Sequence, residues 1–328
     1  MAKPKNITAY SFQVNEFSIT SPFKTENFFD ITHSEISNSP IDKFLTKVTE
    51  LNRLILDPRD VLSLISSLEQ QALISVEIKE KIKGTINNVS TVNPVMINLV
   101  LLGFISAIES YLREIISKLI HFDEKSMQAC EHKEILYGAA IHADVEVLPE
   151  TLLESTSFTK KDTIKDVIKD YLGLKGIKFP DNVNRVLTDF EKICHLRHCI
   201  VHRFGKLGAS NALHLGLGNH KKYIDKPIRL DYNALQLIGV ACTNTVKELN
   251  HFLWSVIMMR QLADPIQSGD SWKKLDTEIP WKWNFNSDRK RFKKYFDIFA
   301  SQNAQSKGLV ITMKSAYDEY KMKYKSLS

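Results

Sequence analysis

Residues 181–205 read DNVNRVLTDFEKICHLRHCIVHRFG. Val183, Val186, Leu187, Phe190, Ile193 and Leu196 recur at three- and four-residue intervals, the spacing of one apolar face on an α-helix. The pattern predicts a helix that starts at Asp181 and ends where Gly205 supplies a C-terminal glycine cap. Its last turns hold Cys194, His195, Arg197, His198, Cys199, His202 and Arg203. A helix with one apolar face must bury it against others, so the stretch implies a helical bundle.

The flanking sequence supplies the partners. From Asn93-Pro94, a cap residue followed by a proline suited to a first helical turn, a second long helix runs to about His121. Its stripe is Leu101, Phe104, Ile108, Tyr111, Leu112, Ile115 and Leu119. The apolar run from Val95 to Ile108 is shorter than the roughly 20 residues of a membrane span and contains Asn98, which makes it a core helix. A closing helix is expected over 235–262, with Ile238, Cys242, Val246, Leu249, Leu253 and Val256 on one stripe. Between 123 and 171 short helices are expected, with Pro149 as a break. The stretch 205–218 is too sparse in pattern for regular structure, and Ile228, Arg229 and Leu230 suit a short strand. The fold expected is mainly α: a helical core over 93–262, an N-terminal segment over 1–92 and a C-terminal extension over 263–328.

In the N-terminal segment Tyr10, Phe12, Val14, Phe17 and Ile19 alternate with polar residues, which is strand-like. After Pro40 the period turns helical through Phe44, Val48, Leu51, Leu54 and Ile55. Asp57-Pro58 breaks it, and Asp60 can start another helix carrying Val61, Leu64, Ile65 and Leu68. The C-terminal extension holds 13 Lys/Arg against 8 Asp/Glu, so most of the net charge of +6 lies there. Such a tail suits either a polyanion or plain solvation. Trp272, Trp281 and Trp283 lie among its cations, placed either to stack bases or to pack the extension.

An apolar fraction of 43% and a charged fraction of 25% are those of a soluble globular protein. The N-terminus shows no secretory pattern, and four cysteines make no disulfide framework, so reduced thiols and a cytoplasmic location are expected. No repeat, glycine-rich phosphate loop, serine-nucleophile elbow or paired-carboxylate motif is visible.

The chemistry therefore centres on 194–205. Arginine holds phosphate through paired, charge-assisted hydrogen bonds, and histidine moves a proton near neutral pH. Composition alone produces about one arginine followed at this distance by histidine, so its place at a helix end beside glycine is what singles it out. Two other readings stand beside it. Cys194, His195, His198, Cys199 and His202 include pairs four apart, the spacing of metal ligands on one helical face. Yet no His-Glu-x-x-His motif or second Cys/His pair accompanies them, so neither metal nor cofactor is expected. Alternatively, the cysteines are small core residues and the cations complement the helix dipole. Glu109 and Arg113, four apart, either pair with each other or place Glu109 against Arg197 across the bundle. Arg203 and Lys206 either contact phosphates or solvate the loop.

Residues Arg197-His198-Cys199-Ile200-Val201-His202 resemble the Arg-polar-x-x-x-His signature of HEPN-domain ribonucleases. Residues Ala107-Ile108-Glu109-Ser110-Tyr111-Leu112-Arg113 are similar to the first long helix of prokaryotic members, and the order of elements over 93–262 agrees. The resemblance implies a HEPN-like helical bundle that forms a homodimer, with two signature helices building one composite site. It implies metal-independent RNA cleavage in phage defence, abortive infection or toxin action, with a regulatory or antitoxin partner to restrain it and no membrane. It also admits members that keep the helices without the chemistry, as dimerising or nucleic-acid-binding scaffolds. Residues five apart sit about 140° around an ideal helix, so Arg197 and His202 do not share a face, and either a twofold axis or fraying at the Gly205 end resolves this. His202 is then the general base for the ribose 2′-hydroxyl. Arg197 stabilises the phosphorane, an effect of about 3–4 kcal/mol, and His198 orients the phosphate. The expected products are a 2′,3′-cyclic phosphate and a 5′-hydroxyl.

Overall fold

A computed structural model describes residues 25–30, 32, 38–55, 94–265, 272–275, 279–308 and 311–327. The strand-like alternation over 10–19, the second N-terminal helix from Asp60 and the Asn93 cap lie outside the described residues. Backbone contacts divide the chain into two units, Met1–Ser37 and Asn38–Ser328. In the first, a short 3-10 turn spans Thr25–Phe28. The second is mainly α, with 13 α-helices among the described residues.

Helix α1 (Pro40–Arg53) starts as its sequence dictates, with Ser39 accepting the Asp42 N–H and Pro40 at the first position. The central helix, α2 (Pro94–Phe122), is the one described helix long and apolar enough to cross a membrane. Here its stripe from Ile97 to Ile120 is buried in the bundle. Gly103 lets α1 approach it: a Cβ there would meet Leu51 Cδ2 at 2.5 Å. Short helices follow, α3 (Glu124–Cys130), α4 (Tyr137–His142), α5 (Leu148–Thr151) and α6 (Lys161–Tyr171). Pro149 begins α5 instead of breaking a helix, because a proline in the first turn has no amide hydrogen to lose.

Helix α7, which carries the Arg/His cluster, spans Asp181–Arg203 and buries Val183, Leu187, Phe190, Ile193 and Cys194. Its antiparallel partner is α10 (Tyr232–Met259), capped by Asp231, whose carboxylate accepts the Ala234 N–H. Thr245 on α10 donates to the Val186 carbonyl of α7 at 3.3 Å. The bundle thus holds three long helices together with shorter ones. Between α7 and α10 the glycine-rich stretch is not irregular, since it forms α8 (Ala209–His214) and α9 (Leu217–His220). Ile228 pairs its N–H with the Gly205 carbonyl, but no strand forms at 228–230.

The extension contributes β1 (Ala263–Pro265) and β2 (Trp272–Lys274), an antiparallel pair, then α11 (Phe285–Phe299), α12 (Gln302–Ser306) and α13 (Met313–Ser326). Buried polar groups join these helices to the bundle. Asn250 of α10 donates to the Phe299 carbonyl and accepts from the Tyr111 hydroxyl of α2. Asp42 of α1 accepts from Ser301 Oγ and from the Gln302 amide, so one carboxylate serves the starts of two helices. Trp281 is buried against Phe292 and Tyr320, and Trp283 stacks on Tyr324 at 4.4 Å. These two tryptophans pack the extension instead of offering faces to bases.

Candidate active site at the end of the signature helix

α7 ends in a way its sequence only half foretells. The left-handed position falls on Phe204 (φ 52°, ψ 40°), with Gly205 following at φ 90°. The Gly205 N–H closes back on the Cys199 carbonyl at 3.0 Å. A non-glycine residue in this region is strained, and the Phe204 side chain is 95% exposed, so packing does not hold it there.

The cluster divides by burial. Cys194 and Cys199 turn into the protein, while His198, Val201, His202 and Arg203 are exposed and Arg197 is half-buried. His198 and His202 share a face, with ring centroids 4.3 Å apart and planes tilted by 48°. Desolvation lowers the His198 pKa from its ordinary 6.5, and the neighbouring His202, Arg197 and His195 lower it further. Arg197 therefore acts electrostatically on the His198 imidazole. Among the described residues Arg197, His198 and His202 have no hydrogen-bond or ion-pair partner, and the two imidazole rings meet each other. Three groups able to grip a phosphate and move a proton are thus left uncommitted at a helix end.

The other expected residues are engaged. Arg203 donates from Nη2 to Asp225 at 3.1 Å and from Nη1 to the Leu207 carbonyl, fastening the helix end to the following loop. The Lys206 backbone bridges to Pro227, and its side chain is exposed. Glu109 accepts the Phe158 N–H at 3.2 Å, and Arg113 donates to the Leu153 and Thr156 carbonyls. These two side chains clamp the turn before α6 and form no ion pair with each other. Neither does Glu109 pair with Arg197, although both act on the buried Cys194 thiol between them.

Sequence reasoning missed the residues that brace the cluster from α8. His195 stacks on His214 with centroids 4.8 Å apart and planes 9° from parallel. Asn211, buried, donates from Nδ2 to Cys199 Sγ, leaving Oδ1 to accept from His195 Nδ1 at 3.1 Å. That bond assigns the His195 proton to Nδ1. The available signal is the three-residue spacing of Asn211 and His214 between Gly208 and Gly216.

All four cysteines are free and buried. Burial pushes the Cys130 thiol up to about 11 and the Cys242 thiol up to about 12, so neither is a nucleophile at neutral pH. Among the described residues no three His, Cys, Asp or Glu side chains are arranged to hold a metal ion. Comparisons of the chain with protein-family models, with curated proteins and with solved structures find no match.

Proposed function

We propose that this chain is a homodimeric, metal-independent endoribonuclease built on a HEPN-like helical bundle, acting in phage defence or as a toxin. The observation that carries the proposal is the uncommitted set Arg197, His198 and His202 at the exposed end of α7. In the reaction, neutral His202 takes the proton of the ribose 2′-hydroxyl, whose oxygen attacks the adjacent phosphorus. The 5′-oxygen leaves and takes a proton from the partner copy's equivalent histidine, which starts as the imidazolium and ends neutral. Arg197 stabilises the charge of the phosphorane, and His198 orients the phosphate.

A second copy is needed because one chain does not set Arg197 and His202 on a common face. Its seat is supported by exposed apolar side chains at this end: Leu99 of α2, Val201 and Phe204 at the end of α7, and Leu237 and Val240 of α10. These elements lie together, since Gly205 sits beside Asn98 and Gly239 against Phe104. Clustered exposed apolar groups mark association surfaces. The same patch favours a second reading, a dimerising nucleic-acid-binding scaffold without cleavage.

The deciding experiment incubates a single-stranded RNA with the chain in EDTA and examines the ends. Wild type is expected to leave 2′,3′-cyclic phosphates and to spare the DNA of the same sequence. His202→Ala and Arg197→Ala each lose about 100-fold or more of the rate while keeping their helical spectrum. RNA that is bound but intact with wild type supports the scaffold, and unchanged cleavage in both variants removes the assignment.

A further inference from the structure

A cavity of about 820 Å³ opens where the C-terminal ends of α2 and α10 meet one face of α11. Asn98, beside the signature loop, and Phe122, at this cavity, lie on the same helix roughly 36 Å apart at about 1.5 Å per residue. The cavity therefore stands at the opposite end of the bundle from Arg197 and His202.

Its lining is organised. On α11, Ser287, Lys290, Arg291 and Lys294 recur at three and four residues and make one stripe facing the cavity. Phe292, Phe296 and Phe299 of the same helix are buried in the core. Lys290 and Lys294 have no acidic partner among the described residues. Arg291 donates to the Pro280 carbonyl at 3.3 Å and keeps its remaining donors. The acids in the wall are Glu124 and Asp264, and Asp264 lies 3.8 Å from Lys125.

Beneath the stripe lies Arg260, only 4% exposed. Its Nη1 donates to the Leu172 carbonyl, and its Nη2 to Asp123 and Ser126, but its Nε is buried with no partner. A buried N–H without an acceptor is rare and costly, and the Arg260 guanidinium adds a fixed positive charge to the cavity wall. Phe122, Leu275 and Pro280 supply an apolar portion.

We propose that this cavity binds a small phosphate-bearing molecule of nucleotide size, with phosphates on Lys290, Arg291 and Lys294 and an apolar or planar part against Phe122, Leu275 and Pro280. The volume lies within the roughly 300–1,000 Å³ of small-molecule sites, and a mostly polar wall rich in cations, with a short apolar strip, suits a phosphate-bearing ligand. Being remote from the Arg/His cluster, the site does not rest on the nuclease reading.

Isothermal titration of the full chain with ATP, AMP, adenosine and inorganic tripolyphosphate tests it. Saturable 1:1 binding of ATP is expected, weaker for AMP and lost for adenosine. Lys290 and Lys294 are exposed, so K290E/K294E should fold. It should bind ATP at least about tenfold more weakly, a loss of about 1.4 kcal/mol, whereas R197A/H202A should bind as wild type does. No saturation by any probe up to about 1 mM, or equal ATP affinity in K290E/K294E, overturns the proposal. So does a single-stranded RNA that outcompetes ATP through the same two lysines, which would make the cavity part of a strand-binding surface.

Discussion

His198 and His202 hold their imidazole centroids 4.3 Å apart on the last exposed turns of α7, with no carboxylate bonded to either. Two such rings cannot both carry a proton at low cost, and Arg197 adds a third positive charge nearby. The arrangement favours the neutral form of the His198 imidazole, whose pKa is lowered from 6.5.

The first expected outcome concerns titration. His198 binds its proton more weakly in the folded chain than the ordinary 6.5, so the unfolded chain takes up that proton first as pH falls. Its contribution to folding is thus unfavourable below that pH and absent well above it. An NMR titration of the imidazole resonances should place His198 below 6.5, and His202→Ala should move it upward by removing a like charge. An unchanged midpoint in that variant would mean the two rings are not electrostatically coupled.

Phe204 offers a separation of fold from association. Its backbone is left-handed and its side chain almost wholly exposed, so glycine relieves strain and forfeits no internal packing. Phe204→Gly should stabilise the monomer unit by about 1 kcal/mol or less in urea unfolding, after the entropy that glycine adds to the unfolded chain. In sedimentation, the same variant should dimerise less than wild type. A variant that is destabilised would show that Phe204 packs where the structure leaves it bare.

How far the sequence could be read is visible in particular residues. The stripes of α2, α7 and α10 are strong because each helix buries one continuous face, and their bounds fall within a few residues of expectation. The true start of α10 was missed because Asp231 caps a turn that precedes the first apolar residue of the stripe. Ala209 to His214 shows almost no period, since it is Ala212 that packs, against Cys199 and Leu207, and the helix owes its place to that contact. Arg197, His198 and His202 were legible because they are local in sequence. The brace from Asn211 and His214 was not, and neither was the cavity, whose walls come from residues near 122, 260 and 290.

An exposed ion pair adds to the backbone bonds that hold the loop after α7. Arg203 and Asp225 are both largely accessible, so solvent screens them and their coupling should be about 0.2–1 kcal/mol in a double-mutant cycle. The local effect should exceed the global one. Asp225→Ala should accelerate amide exchange at Leu207 and Ile228, whose N–H groups close the loop onto Lys226 and Gly205, with little change in the unfolding midpoint. Unaltered exchange at both amides would show that the small cluster of Cys199, Leu207 and Ala212 suffices to hold the loop.

A far larger effect is expected at the other end of the bundle. Asp123, fully buried, accepts from the Ser126 amide, Arg260, Gln261 and the Tyr295 hydroxyl. Desolvation lowers the Arg260 pKa while Asp123 opposes the shift, and burial together with the Asp123 charge raises the Tyr295 pKa. Removing the carboxylate leaves a guanidinium without its counterion in a nearly dry site. Asp123→Ala should therefore cost about 3–5 kcal/mol in urea unfolding, whereas Asp123→Asn, which keeps an acceptor oxygen without the charge, should cost less. If the alanine variant loses under 1 kcal/mol, roughly a surface pair's worth, water must reach Arg260 and the network does not hold the C-terminal helices in place.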